Sequence, residues 1–182
     1  MIGTTHEELP KGIEYVKPGI LDVKITNIEY KAEEKPYFEV EFQVVGDENN
    51  GKQTERFYVT PKALALNMNK FYEIVRAILG NEKAGSITAE NVEQYIQKVK
   101  PMIVGKPYTQ KFGGQEYINN KGEQRVKPTI PLSSRNDKNT KPTIATAIKD
   151  KAILTFDENR DIKRLEKKEV EATQDAPSWE GA

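Results

Sequence analysis

At 182 residues, 36% hydrophobic and 31% charged, the chain suits one medium domain with polar extensions. It has no cysteine, which excludes a disulfide framework and a cysteine-based zinc site, and no apolar run approaches the roughly 20 residues of a membrane-spanning helix. Net charge is zero, but the charges are segregated: 11 Lys and Arg against 16 Asp and Glu up to Gln97, 12 against 4 from Lys98 to Lys151, and 5 against 8 thereafter. A basic middle and an acidic end point to an anionic partner and a partner-binding tail.

Met1 to Pro18 reads as an irregular lead-in broken by Pro10, Gly12 and Pro18, and it lacks the apolar core of a signal peptide. Three strands follow in succession, Ile20 to Tyr30, Tyr37 to Val45 and Gln53 to Val59. In the second, Phe38, Val40, Phe42 and Val44 alternate with Tyr37, Glu39, Glu41 and Gln43, the period of a strand with one buried face. The first strand changes phase between Ile25 and Ile28, which predicts a bulge near Thr26-Asn27. Asn49-Asn50-Gly51 supplies the turn chemistry for a hairpin.

After Val59 the period becomes helical. Thr60 and Pro61 suit a helix start, and Leu64, Met68, Phe71, Val75 and Ile78 recur at spacings of three and four as a core-facing stripe. Gly80 ends that helix, and a second is expected from Thr88 to just before Pro101. Strands then return at Met102 to Gln110, interrupted by Gly113-Gly114. Next come Gln115 to Ile118 and Gln124 to Lys127, joined by the turn Asn119-Asn120-Lys121-Gly122. Pro128 to Pro142 is loop-like, Ala152 to Phe156 is a candidate last strand, and Asp161 to Glu169 a short helix. The expected division is a lead-in over 1–18, a domain over 19–160 and an acidic tail over 161–182.

Three meandering strands, a helical insert and further strands form the order of a mainly β, OB-fold-like barrel, whose helix lies between strands three and four. On Gly19-Ile-Leu-Asp-Val-Lys-Ile25, Tyr37-Phe-Glu-Val-Glu-Phe42, Gly51-Lys-Gln, Phe57-Tyr58, Arg76-Ala-Ile-Leu-Gly80 and Gly105-Lys-Pro-Tyr108 with Tyr117, the chain resembles phage-encoded OB-fold single-stranded-DNA-binding proteins. The resemblance covers about Gly12 to Lys127. It implies coating of single-stranded DNA during replication and recombination, without catalysis and in the host cytoplasm.

Single-strand binders combine cations along the phosphates with aromatic rings on which bases stack. Lys106, Tyr108, Lys111, Phe112, Tyr117, Lys121, Arg125 and Lys127 interleave both residue types, and Tyr37, Arg56 and Tyr58 share the parity opposite the presumed core. These eleven residues form the candidate nucleic-acid-binding set. Glu39 and Glu41 project from the same side and oppose phosphate there, which favours the Lys106 to Lys127 segment as the path of the strand. In the tail, Asp175, Trp179 and Glu180 surround Pro177-Ser178, an acidic aromatic element suited to a replication or recombination protein's pocket.

The catalytic inventory is thin. His6 is the single histidine and lies in the lead-in, and Gly105-Lys106-Pro107 lacks the glycine spacing of a phosphate loop. Asp157 to Asp161 starts like a calcium loop, yet Ile162 and Lys168 stand where its glycine and bidentate glutamate belong. No enzyme activity, metal or cofactor is expected. The rival class is a structural or protein-interaction module, such as a virion component or adaptor built on the same barrel.

Overall fold

The structure is a computed structural model and describes residues 16–47, 51–135 and 141–165. The expected meander forms: β1 (Gly19–Lys31), β2 (Tyr37–Val44) and β3 (Lys52–Tyr58) pair antiparallel in sequence order. The alternating apolar residues explain it, since Val23, Ile25, Phe38, Val40, Phe42 and Phe57 are all buried. The register of β1 on β2 shifts between Ile25 and Asn27, where the phase of β1 changes.

Three helices separate β3 from β4: α1 (Leu64–Leu79), α2 (Asn81–Gly85) and α3 (Val92–Ile103). β4 (Tyr108–Ile118) then runs antiparallel to β1 through its first half and to β5 (Gln124–Thr129) through its second. Two short strands complete the sheet on β4, β6 (Ala145–Thr146) antiparallel and β7 (Ile162–Lys163) parallel. Between them lie a 3-10 helix, Ile148–Ile153, and the single turn α4 (Glu158–Asp161). The main path is β3-β2-β1-β4-β5, and it is not closed into a barrel. No ladder joins its end strands among the described residues. Pro128 lies within β5, and a strand residue without an N–H favours a sheet edge over a central position.

The core fills the concave side of this sheet. Phe38 stacks on Phe57 with ring centroids 5.0 Å apart, and the Phe71 ring of α1 meets Phe38 edge-on at 4.8 Å. Ile96, Val99 and Ile103 bring α3 onto the same cluster.

Several local expectations shift for physical reasons. Leu64 is exposed, whereas Glu73 is buried. The Glu73 carboxylate accepts hydrogen bonds from Ser133 Oγ (2.7 Å), from Thr143 N–H (3.0 Å) and Oγ1 (2.7 Å), and from the N–H groups of Ile144 and Ala145. A buried carboxylate with so many donors is a clamp. It fixes the segment leading into β6 against α1, where sequence composition read only a loop. α3 begins later than expected, where the Asn91 side chain caps Gln94 N–H at 2.8 Å, and it continues through Pro101. Burial of Val99 and Ile103 on either side of the proline offsets the missing hydrogen bond. Met102 and Ile103 are accordingly helical and not strand.

Gly113-Gly114 does not interrupt β4. A Cβ at Gly113 would stand 2.8 Å from the Asp161 carbonyl oxygen, and one at Gly114 would stand 2.7 Å from a Val126 methyl. The glycines let neighbouring backbones approach while the strand runs on. Ala152 to Phe156 forms no strand, and helix occurs at Glu158–Asp161 instead of starting at Asp161. Residues 161–165, read as the root of the tail, pack on β4 with Ile162 buried. No helix among the described residues is long and apolar enough to cross a membrane.

Candidate nucleic-acid interface

The eleven candidate residues separate into four groups. Tyr108, Lys111 and Phe112 belong to the interior. Tyr108 is fully buried and its hydroxyl donates to Gln110 Oε1 at 2.9 Å, so burial pushes its pKa well above the ordinary phenol value. Phe112 is fully buried and meets Phe42 edge-on at 5.6 Å. Lys111 pairs with Asp161 at 2.9 Å, both side chains being less than a tenth exposed. The expectation that these three present rings and charge to a ligand is therefore corrected: each is committed to packing.

Tyr37, Arg56 and Tyr58 do come together on β2 and β3. Tyr37 and Tyr58 are direct cross-strand partners with ring centroids 5.2 Å apart, and the Arg56 guanidinium stands 4.6 Å over the Tyr37 ring. Arg56 also donates to Glu39 at 3.1 Å, and Tyr37 is buried. Hydrogen bonding to Tyr58 and then to Glu39 raises the Arg56 pKa. The cluster is internally neutralised, with one stacking face already occupied by Arg56. Lys106 stands apart, exposed in the loop after Gly105, whose N–H donates to Ile25 at 2.8 Å.

The remaining four residues lie on the β4–β5 hairpin. Tyr117 pairs with Arg125 and Gln115 with Lys127, so all four side chains share one face of the hairpin. Tyr117 is 43% exposed. Lys121 is exposed in the turn, where Asn119 Oδ1 accepts from the N–H groups of Lys121 and Glu123 at 2.9 Å each. Arg125 is held by Glu123 beside it. On the other face, Glu116 accepts from Gln124, from Arg164 and from the Leu165 N–H at 3.1 Å. Burial opposes ionisation of Glu116, but these hydrogen bonds outweigh it and hold the carboxyl below the usual range. Its charge is thus consumed behind the hairpin.

The hairpin faces the open seam of the sheet. Between the start of β3 and β5 lies a groove of about 630 Å³, walled by Lys52 to Thr54, by Tyr117 and Val126 to Pro128, and by Val16 to Pro18. Lys17, Lys52 and Lys127 are exposed along it and form no direct ion pair among the described residues. Glu55 is the counterweight: burial raises its pKa, while the Gln53 amide and the charges of Lys127 and Lys70 partly offset that. Comparison with protein-family models gave no match, and comparison with curated proteins gave none. What the groove can do therefore follows from its own chemistry. It offers three exposed cations without a direct ion pair among the described residues, beside an exposed aromatic ring, with Val16 and Val126 as apolar lining.

Lys17 and Lys52 escaped the sequence reading. They lie in the lead-in and at the start of a strand, far in sequence from Lys127, and only the pairing of β1 with both β2 and β4 brings the three to one groove. The tail residues Asp175, Trp179 and Glu180, the histidine His6 and the Asn49-Asn50 turn lie outside the described residues.

Proposed function

We propose that the protein is a non-catalytic single-stranded-DNA-binding protein, acting in phage replication and recombination and taking the strand along the β3–β5 seam and the face of the β4–β5 hairpin. The observation that carries this reading is the groove holding Lys17, Lys52 and Lys127 beside the exposed ring of Tyr117. A single strand needs that combination, phosphates meeting cations while a base stacks on a ring, and its bases remain available because no complementary strand covers them. The finer fold assignment belongs to the same proposal: β1 pairing with both β2 and β4, with helices between β3 and β4, supports an OB-type coil left open at its last seam.

Fluorescence anisotropy of a labelled oligo-dT strand, titrated at low and moderate salt, tests the reading. Binding to the single strand should weaken with salt at a log–log slope of about 0.7 per phosphate contact, so about −2 for three lysines. A duplex of equal length should bind far more weakly. Absence of binding at low salt would overturn the proposal, and the basic seam would then be read as a docking surface for an acidic protein.

A further inference from the structure

A second cleft, of about 550 Å³, lies among the three helices, and none of its lining residues belongs to the candidate nucleic-acid set or to the seam groove. Leu64, Met68, Tyr72 and Arg76 recur every fourth residue along one edge of α1 and form one wall, with Ile87 and Tyr95 opposite. The floor is aromatic: Tyr72 and Tyr95 meet edge-on with centroids 5.4 Å apart. Tyr72 remains 36% exposed, so part of this aromatic floor is open to an occupant. No carboxylate lines the cleft. Arg76 stands 6.0 Å over the Tyr72 ring and forms no ion pair among the described residues. Arg135 lies near enough for its pKa to be lowered, by burial first and by the charge of Arg76 second. An apolar, aromatic cleft with the Arg76 guanidinium on its wall suits an acidic segment bearing a large ring.

We infer that this cleft is the docking site of the chain's own C-terminal segment, Asp175 to Glu180, with Trp179 on the Tyr72–Tyr95 floor and a neighbouring carboxylate on Arg76. That segment carries the single tryptophan of the protein, and no basic residue follows Lys168. Its reach is sufficient. Trp179 follows Leu165 by 14 residues, which span at most about 50 Å, whereas a body of this size has a radius of gyration of about 15 Å. Tethering makes weak contacts count, because a short linker presents its end at an effective concentration of about 1 mM.

Because Trp179 is the only tryptophan, its fluorescence reads the docking directly and without nucleic acid, so the outcome is independent of the DNA-binding proposal. In the full chain, Trp179 emission should be blue-shifted and its quenching by acrylamide several-fold weaker than in a free peptide of residues 170–182. Arg76→Glu and, separately, Tyr72→Ala should restore the peptide's emission and quenching while leaving the far-ultraviolet circular dichroism unchanged. Wild-type emission equal to the free peptide's would overturn the inference. So would protection that both variants leave intact, which would put the tryptophan elsewhere. Protection that grows with protein concentration would overturn it in favour of a cleft filled by a second copy.

Discussion

The two halves of β4 are a controlled comparison within one strand. Tyr108 to Phe112 and Gln115 to Ile118 both carry aromatic rings, Tyr108 and Phe112 in the first and Tyr117 in the second, each with a charged residue nearby, Lys111 and Glu116. The first half lies between β1 and β6 and over the helices, so its rings become core and its lysine an interior ion pair. The second half lies at the open end of the sheet, with only β5 and the two-residue β7 beside it, and its ring stays at the surface. Residue type does not separate structural from binding aromatics. The number of layers stacked over the strand does.

Substitutions sharpen the contrast, beginning with the largest effect. Phe112→Ala should destabilise the protein by about 3–5 kcal/mol in denaturant titrations, the usual cost of emptying a buried phenylalanine site. Tyr117→Ala should change stability by less than about 0.5 kcal/mol. If the two costs proved equal, the division of β4 drawn above would be wrong.

Asp161→Ala leaves Lys111 charged and unpaired in the interior and should cost about 3 kcal/mol, at the lower end for breaking a buried pair. The pH dependence has a definite sign. Arg160 first, then the Asp157 N–H and Lys111, hold the Asp161 carboxyl well below its ordinary value, against the opposing effect of burial. An acid with a depressed folded pKa contributes stability in full above its unfolded pKa, near 4, and loses it as pH falls toward the folded value. The wild type should therefore lose stability below about pH 4 more steeply than Asp161→Ala, as urea titrations at several pH values would reveal.

For ligand affinity the order reverses between the halves. Tyr117→Ala should weaken binding of oligo-dT by about 1–3 kcal/mol, roughly 5- to 150-fold, through loss of one stacked base. Lys52→Gln and Lys127→Gln should each lower the salt slope by about 0.7. Unchanged slopes in both variants would remove the seam from the binding path. The smallest effect concerns Glu55, whose pKa is raised by burial, so that it takes up a proton earlier than an ordinary glutamate as the pH falls. Loss of that negative charge beside Lys127 should strengthen binding of the single strand, and Glu55→Gln should flatten this pH response.

Much of the scaffold was legible because its determinants are local. The alternation from Phe38 to Val44, the phase change at Thr26-Asn27, the four-three stripe on α1 and the turn chemistry from Asn119 to Gly122 each act within a few residues. The failures were non-local. Nothing near Glu73 in the sequence marks it for burial, and only the return of Thr143 to Ala145 across α1 supplies the donors that hold it there. Gly113-Gly114 read as a break because the signal for a close backbone neighbour and for a strand end is the same residue. The candidate site was half legible. Tyr117 and Lys127, singled out by the interleaving of aromatic and basic residues, do line the groove, while Lys17 and Lys52 enter it from across an unpaired seam.

The sequence by itself determined the three-stranded meander, the β4–β5 hairpin, the helical insert between β3 and β4 and the segregation of charge, since period, turn residues and ionisable groups are properties of short stretches. Tertiary structure alone decided which aromatics are interior, where the sheet stops short of closing and which lysines face one another. Those depend on the layers packed over each strand and on contacts between residues far apart in the chain, for which no local pattern codes.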